Sequence, residues 1–315
     1  MKTSLFFSVW ARFFLEGVKS WIPCRIVCLD ISGICQVRCV WCMIHQSPHN
    51  DRGLMSFDNF KHWVDLNKDY LVRSRTRVCP MIRGESFLNP SFLDMVDYGA
   101  SQGIRWFTLD TNLNVKLDVK RFLGCAIPSV RVNIGGTNRD VHERVMRGSS
   151  FDLVTENLRG ILRGNLGRKK IILKMVVTKD NFHQIPELPT FFRGLGGNPR
   201  NVEIGPLQMI TPEEVLPQQR EDFLKNAVSS DTRDYMLFDV GPNGGVRSRV
   251  PGCRYMSPSI RWDGSVSICC QDKLGFFDLA NAFETPFDEI LKSKVFKTAT
   301  AKGYRREHTL CRECN

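Results

Sequence analysis

The chain has 315 residues, 42% of them hydrophobic and 24% charged, the balance of a globular protein long enough for one large core and a small appendage. No run of about 18 apolar residues occurs, so no membrane-spanning helix is expected. The net charge of +11 favours anionic partners. Its basic residues are scattered in small knots such as Arg168-Lys169-Lys170 and Tyr304-Arg305-Arg306, without a base-reading module, so nucleic acid is not an expected partner.

In residues 1–23, Phe6, Trp10, Phe13, Phe14, Val18 and Trp21 recur at helical spacing and predict an amphipathic helix. Arg12, Glu16 and Lys19 break the apolar run and no small-residue cleavage site follows, which sets aside a signal peptide. Such a helix packs on the main domain or lies on a membrane surface. The expected location is therefore the cytoplasm, with peripheral membrane contact as the variant.

From 24 to 240, short β-rich runs alternate with helical stretches. Strands are predicted at Arg25–Ile31, Val78–Ile82, Trp106–Thr111, Ser129–Ile134, Ile171–Thr178 and Asn201–Gly205. The helices between them are Phe57–Asn67, capped by Ser56, Pro90–Gln102, stopped by Gly103, Asp118–Leu123, Phe151–Leu162 and Gln184–Arg193. Six such units predict an α/β fold, a partial (β/α)6 TIM-type barrel with its site at the C-terminal ends of the strands. Gly241-Pro242-Asn243-Gly244-Gly245 reads as a linker. Beyond it, Ser259–Trp262 and Ser265–Ile268 flank Asp263-Gly264, a hairpin signal, and Pro286–Lys302 reads as a helix. Residues 241–315 thus predict a small α+β domain.

Twelve cysteines without a secretory signal point to metal ligands rather than disulfides. Cys35, Cys39 and Cys42 form C-x3-C-x2-C directly after the first predicted strand. Soft thiolates suit zinc, copper(I) or iron–sulfur clusters. Three in one loop leave a coordination position open unless His45 or His49 closes a structural zinc site. A second set, Cys253, Cys269, Cys311 and Cys314, holds four thiols, enough for zinc or for a fully ligated cluster. Cys270 is an alternative to Cys269, although strand alternation turns neighbours to opposite faces. Cys24, Cys28, Cys79 and Cys125 read as small buried apolar residues.

The first triplet, with Trp41 before its last cysteine, resembles the radical S-adenosylmethionine (SAM) superfamily. The likeness continues in order along the barrel. Arg83-Gly84-Glu85-Ser86 stands where the family carries Gly-Gly-Glu-Pro, Thr111-Asn112 resembles Thr-Asn-Gly, Asn133-Ile134-Gly135-Gly136 occupies the place of Ser-x-Asp-Gly, and Arg144–Gly148 resembles a cofactor-holding stretch. Cys253, the Gly264-x4-Cys269 element and the terminal C-x2-C resemble the SPASM/twitch extension.

The resemblance implies a catalytic [4Fe–4S] cluster on Cys35, Cys39 and Cys42, and S-adenosylmethionine bound with the help of Trp41, Gly84, Glu85, Asn112, Asn133 and Arg147. It also implies an auxiliary [4Fe–4S] cluster on Cys253, Cys269, Cys311 and Cys314. The implied chemistry is reductive cleavage of S-adenosylmethionine to a 5′-deoxyadenosyl radical, hydrogen-atom abstraction, and oxidation of the substrate radical with the auxiliary cluster's help, the electrons coming from a flavodoxin- or ferredoxin-type donor. Arg83, in place of a glycine, is expected to add positive charge to the pocket wall, and Gly135 leaves out the family's aspartate. Family substrates include a carbohydrate-like alcohol and ribosomally made peptides. Only 34 residues precede Cys35, against the longer peptide-recognition domain of many peptide modifiers, so a small polar or anionic substrate is the leading expectation and a peptide the second. A non-catalytic iron–sulfur electron carrier is the reading from another class.

Overall fold

The computed structural model describes residues 25–42, 52–207, 217–241, 246–249, 253, 256–272, 275–312 and 314. The predicted N-terminal helix, with Cys24, His45 and His49, lies outside them.

The chain opens with strand β1 (Ile26–Leu29) and the two-residue strand β2 (Arg38–Cys39). Helix α1 (Phe57–Arg73) follows, and Ser56 Oγ accepts from Asn59 N at its start, as the sequence predicts. Next come β3 (Arg77–Cys79), α2 (Phe92–Ser101), β4 (Arg105–Trp106) and β5 (Thr108–Thr111). Gly103, at φ +82°, ends α2 in the left-handed region that glycine tolerates. The alternation continues with α3 (Val119–Gly124), β6 (Ser129–Asn133), α4 (Arg139–Val145) and β7 (Met146–Arg147). It closes with α5 (Phe151–Gly164), β8 (Lys170–Val176), α6 (Leu188–Gly194) and β9 (Val202–Gly205). All six predicted barrel strands are found.

The strands divide between two sheets. One has the order β5-β6-β8-β9, all parallel. The other pairs β1 with β3 and β3 with β4, also in parallel. The third predicted strand is therefore split at Phe107, whose N–H still donates to Val78 O at 2.8 Å while the next residue joins the other sheet. Along β8, buried residues alternate with half-buried ones, because one face packs under the helices and the other faces the barrel interior. Val27, Leu29, Val78, Leu109, Val130, Val132 and Leu173 are essentially inaccessible and form the apolar layer beneath the helices.

After α7 (Pro217–Ala227) and the antiparallel pair β10 (Phe238–Val240) and β11 (Val246–Ser248), the expected hairpin appears as β12 (Ser259–Ile260) and β13 (Val266–Ser267). It is not free-standing. β12 pairs in parallel with β1, Cys28 opposite Ser259 and Leu29 opposite Ile260, so the sheet reads β13-β12-β1-β3-β4. Ile260, Val266, Ile268 and Phe287 share one apolar core with the barrel.

The helix expected over Pro286–Lys302 is two, α8 (Phe287–Lys292) and α9 (Lys294–Tyr304), before the short α10 (Thr309–Arg312). Ser293 makes the break: its backbone is extended (ψ 149°) and its Oγ caps α9 through Phe296 N. A serine can satisfy a helix start as readily as it sits inside a helix. α8 is tied to α1 through Asn67, which donates to Trp63 O at 2.8 Å and accepts from Phe287 N at 2.6 Å. Asn67→Leu should strand that buried N–H and cost about 1–3 kcal/mol, read as a lowered urea midpoint. Among the described residues no helix is long and apolar enough to cross a membrane.

Candidate active site and auxiliary cysteine site

The loop bearing Cys35, Cys39 and Cys42 leaves the C-terminal end of β1, where a barrel places its chemistry. Two residues of it form β2, which pairs antiparallel with β7: Arg38 lies opposite Arg147 and Cys39 opposite Met146. Val40 N donates to Val145 O at 3.0 Å, and Cys42 N closes a turn on Cys39 O at 3.0 Å. The Arg144–Gly148 stretch thus buttresses the cysteine loop directly. A cavity of about 790 Å³ opens there, lined by Gln36, Cys39 and Cys42 and by Arg38, Arg52 and Arg147.

The loop's other side rests on the turn after β3. Gly84 N donates to Ser32 O and Glu85 N to Ile34 O, at 3.0 and 2.8 Å. A Cβ on Gly84 would lie 2.2 Å from Ser32 O and 2.3 Å from Ile34 O, so only glycine allows this approach. Glu85 is 2% exposed. Its carboxylate accepts from Thr111 Oγ1 and Asn112 N, both at 2.8 Å, and from Phe87 N at 3.3 Å. Asn112 Nδ2 lies 3.5 Å from Cys35 Sγ, and Asn133 Nδ2 donates to Thr111 O at 3.5 Å. Glu85, Asn112 and the cysteine loop are therefore in direct contact, with Asn133 one strand away. Arg147 lies on β7 opposite Arg38, its guanidinium 3.3 Å from Asn226 Oδ1. Trp41 turns from the cavity and packs on a side cluster with Val40, Val145 and Phe223.

Burial pushes the Glu85 carboxyl up to about 7, outweighing its three donors. The folded state then holds this proton more tightly than the unfolded chain, whose carboxyl titrates near 4.5. Its contribution is full below pH 4.5 and declines as pH rises through about 7, a loss of roughly 3 kcal/mol. Urea midpoints at pH 5 and pH 8 should show wild type losing stability relative to Glu85→Gln, which carries no such proton. Burial likewise raises the Cys35 thiol to about 12, with Val37 N–H opposing and Glu85 and Cys42 adding to the rise. A coordinated metal is what makes such a thiol a thiolate.

Two departures from the expected motifs have structural reasons. Arg83 adds no free charge to the pocket wall: it is paired with fully buried Asp30, NH2 to Oδ2 at 2.6 Å, and its own side chain is 6% exposed. Gly135 stands where a Cβ would meet His142 O at 2.7 Å, leaving no room for an aspartate. His142 instead links the two motifs. Its Nδ1 accepts from Gly135 N at 3.2 Å, which makes Nε2 the donor to Ser149 Oγ at 2.9 Å, and burial lowers its pKa to about 4, so the ring is neutral.

Sequence reasoning missed a charged quartet on four neighbouring strands. Asp110 pairs with Lys174 at 3.1 Å and Arg131 at 3.4 Å, and Arg131 with Glu203 at 2.9 Å. Burial alone would raise Asp110, but Lys174 and Arg131 hold it below the usual range. Charged residues alternating with buried apolar ones along β5, β6 and β8 were the available signal.

Of the second cysteine set, Cys269 follows directly on the β12–β13 hairpin. Gly264, at φ +91°, makes the turn, and Cys269 N donates to Ser267 Oγ at 3.3 Å. Burial raises Cys314 to about 12 and Cys311 to about 11, with Cys253 adding to the rise of both. Cys269 is raised first by the hydrogen bond its thiol donates to Cys270, then by burial, with Cys253 contributing. Cys270 packs against Cys28, Cys79 and Ile82, and Cys28 is hydrogen-bonded to both Cys270 and Cys79. Cys28, Cys79 and Cys125 are buried, as expected of small apolar residues.

Residues 253–315 match the SPASM family, an iron–sulfur cluster-binding domain. Among solved structures, the chain is similar to BtrN in complex with AdoMet and 2-DOIA, with a TM-score of 0.58 at 13% identity over 93% of each chain. It is also similar to Streptococcus suis SuiB bound to precursor peptide SuiA, with a TM-score of 0.63 at 16% identity over 96% of this chain and 72% of that one. A third is native anSMEcpe with bound AdoMet and Cp18Cys peptide, with a TM-score of 0.62 at 16% identity, covering 92% and 88%. At these identities the likeness is one of fold. No curated protein matches the sequence.

Proposed function

We propose that this chain, which has the fold of the radical SAM enzymes and a SPASM-type iron–sulfur domain at its C-terminal end, reductively cleaves S-adenosylmethionine and oxidises a small polar substrate. The observation that carries the reading is the fastening of one open cysteine triplet between β7 and the Gly84-Glu85 turn. What supports a cluster and its ligand here is the lining: Cys39 and Cys42 border the cavity with Arg38, Arg52 and Arg147, and the buried Gln36 Oε1 beside them has no hydrogen-bond partner among the described residues.

Cys35, Cys39 and Cys42 would hold a [4Fe–4S] cluster, and Cys253, Cys269, Cys311 and Cys314 an auxiliary one, dividing the chain into residues 24–240 and 241–315 with 1–23 as an appendage. When bound, the catalytic cluster and S-adenosylmethionine supply a 5′-deoxyadenosyl radical able to abstract hydrogen from an unactivated carbon. The protein's part is to bind, orient and shield. Gly84 lets the turn reach the loop, Glu85 fixes the Asn112 backbone, and Arg147 offers a carboxylate partner across the cavity. The reductant in this reading is an acidic flavodoxin- or ferredoxin-type protein, suited to a chain of charge +11.

Two observations support a small polar substrate: the barrel wall carries Asp110, Arg131, Lys174 and Glu203, and this chain and BtrN cover 93% of one another. A peptide substrate is the second reading, favoured by the peptides bound to SuiB and anSMEcpe.

Anaerobic reconstitution tests the proposal. The expected result is a brown protein with about eight irons that releases 5′-deoxyadenosine under strong reduction. A colourless, active sample with stoichiometric zinc would remove the proposal. A brown one that never yields 5′-deoxyadenosine would leave an electron carrier. Deuterium transfer from candidate substrates into 5′-deoxyadenosine then separates the small-molecule and peptide readings.

A further inference from the structure

Both polar atoms of the Asn112 side chain are turned into the protein. Oδ1 accepts from Asn114 N at 2.8 Å and from Gln36 Nε2 at 3.2 Å, while Nδ2 points at Cys35 Sγ, 3.5 Å away. Gln36 Nε2 also donates to Asn114 O at 2.7 Å, which fixes the glutamine in turn. The orientation of the asparagine amide follows from these partners. A flipped amide would set its NH2 against two donors and its carbonyl against the sulfur, and Asn112, only 8% exposed, has little water to compensate.

We infer that Asn112 sets the reduction potential of the cluster held on Cys35, with Gln36 as the positioning residue that keeps its N–H on the sulfur. The inference rests on the proposed function, which places a cluster there, and it goes beyond the cofactor-binding role that the motif resemblance implies for Asn112. Hydrogen bonds to cluster sulfurs, net charge and solvent exposure are the protein's means of tuning such a potential. A donor directed at a ligating sulfur stabilises the reduced cluster, which carries one more electron, over the oxidised one. The potential therefore rises and the first electron enters more easily. The arrangement is local in sequence on both sides, Cys35-Gln36 and Asn112–Asn114, so the same contacts that seat the loop also aim the donor.

The test is a redox titration of the reconstituted protein, followed by electron paramagnetic resonance of the signal that shifts on adding S-adenosylmethionine. Asn112→Asp keeps the shape, removes the N–H and places negative charge near the sulfur. It should lower the cluster's reduction equilibrium constant about tenfold or more, which is about 59 mV for one electron. Gln36→Leu leaves Asn112 in place with one restraint fewer and should shift the midpoint less, in the same direction. Unchanged midpoints in both variants at wild-type iron content overturn the inference. Pulsed resonance on the reduced wild-type protein grown with 15N-asparagine is the check that needs no variant: a nitrogen coupling from the amide supports the assignment, and its absence overturns it. A wild-type protein with no signal sensitive to S-adenosylmethionine takes the proposed function with it, whereas a sensitive signal with no asparagine coupling sinks only the role of Asn112.

Discussion

Replacing Cys39 with alanine should abolish 5′-deoxyadenosine formation and remove about one cluster's iron, while Cys314→Ala should remove about as much iron yet spare part of the uncoupled cofactor cleavage. The asymmetry follows from where the two residues sit. Cys39 lies in the β2–β7 ribbon and lines the cavity, whereas Cys314 belongs to the SPASM-matching segment, residues 253–315. Iron analysis with quantitation of 5′-deoxyadenosine and product measures both effects. Iron falling to zero in each variant would mean one mutually dependent assembly instead of two sites.

Gly84→Ala should be nearly as damaging although it removes no ligand. The added methyl meets two backbone carbonyls of the cysteine loop at 2.2 and 2.3 Å, and backbone atoms have no rotamer in which to retreat. Either the loop or the Glu85 turn must move, at a cost of about 3 kcal/mol or more. A shift in either breaks the Glu85 N to Ile34 O bond that seats the loop. The expected result is a protein that folds with a lowered melting temperature and takes up less iron at the catalytic site, with auxiliary iron retained. Wild-type iron content and wild-type 5′-deoxyadenosine yield together would refute this account of the glycine.

Much of this architecture was readable from pattern. The six strands were legible because each pairs a run of branched or aromatic residues with a polar break, and the cysteine loop because its spacing is chemical rather than conformational. Three things were not legible, for distinct reasons. The β2–β7 ribbon is two residues long on each side, too short for any periodicity, and exists because distant segments meet. Arg83 looked like an added charge because Asp30, its partner, is 53 residues earlier, just past the end of β1. The break at Ser293 was hidden by a residue that suits a helix start and tolerates a helix interior. Residue types suggested candidate ligands, but only the fold shows that Asn112 points at sulfur or that Gly135 has no space for a carboxylate.

The parallel pairing of β12 with β1 has a bearing on biosynthesis. β1 is the first described strand to leave the ribosome, and one of its edges is completed by a strand encoded near the other end of the message. Until β12 emerges, the nascent barrel carries an unpaired edge of the sort that invites wrong partners. The segment with the auxiliary cysteines also supplies this strand, so a polypeptide truncated before it loses the partner of β1 along with those thiols.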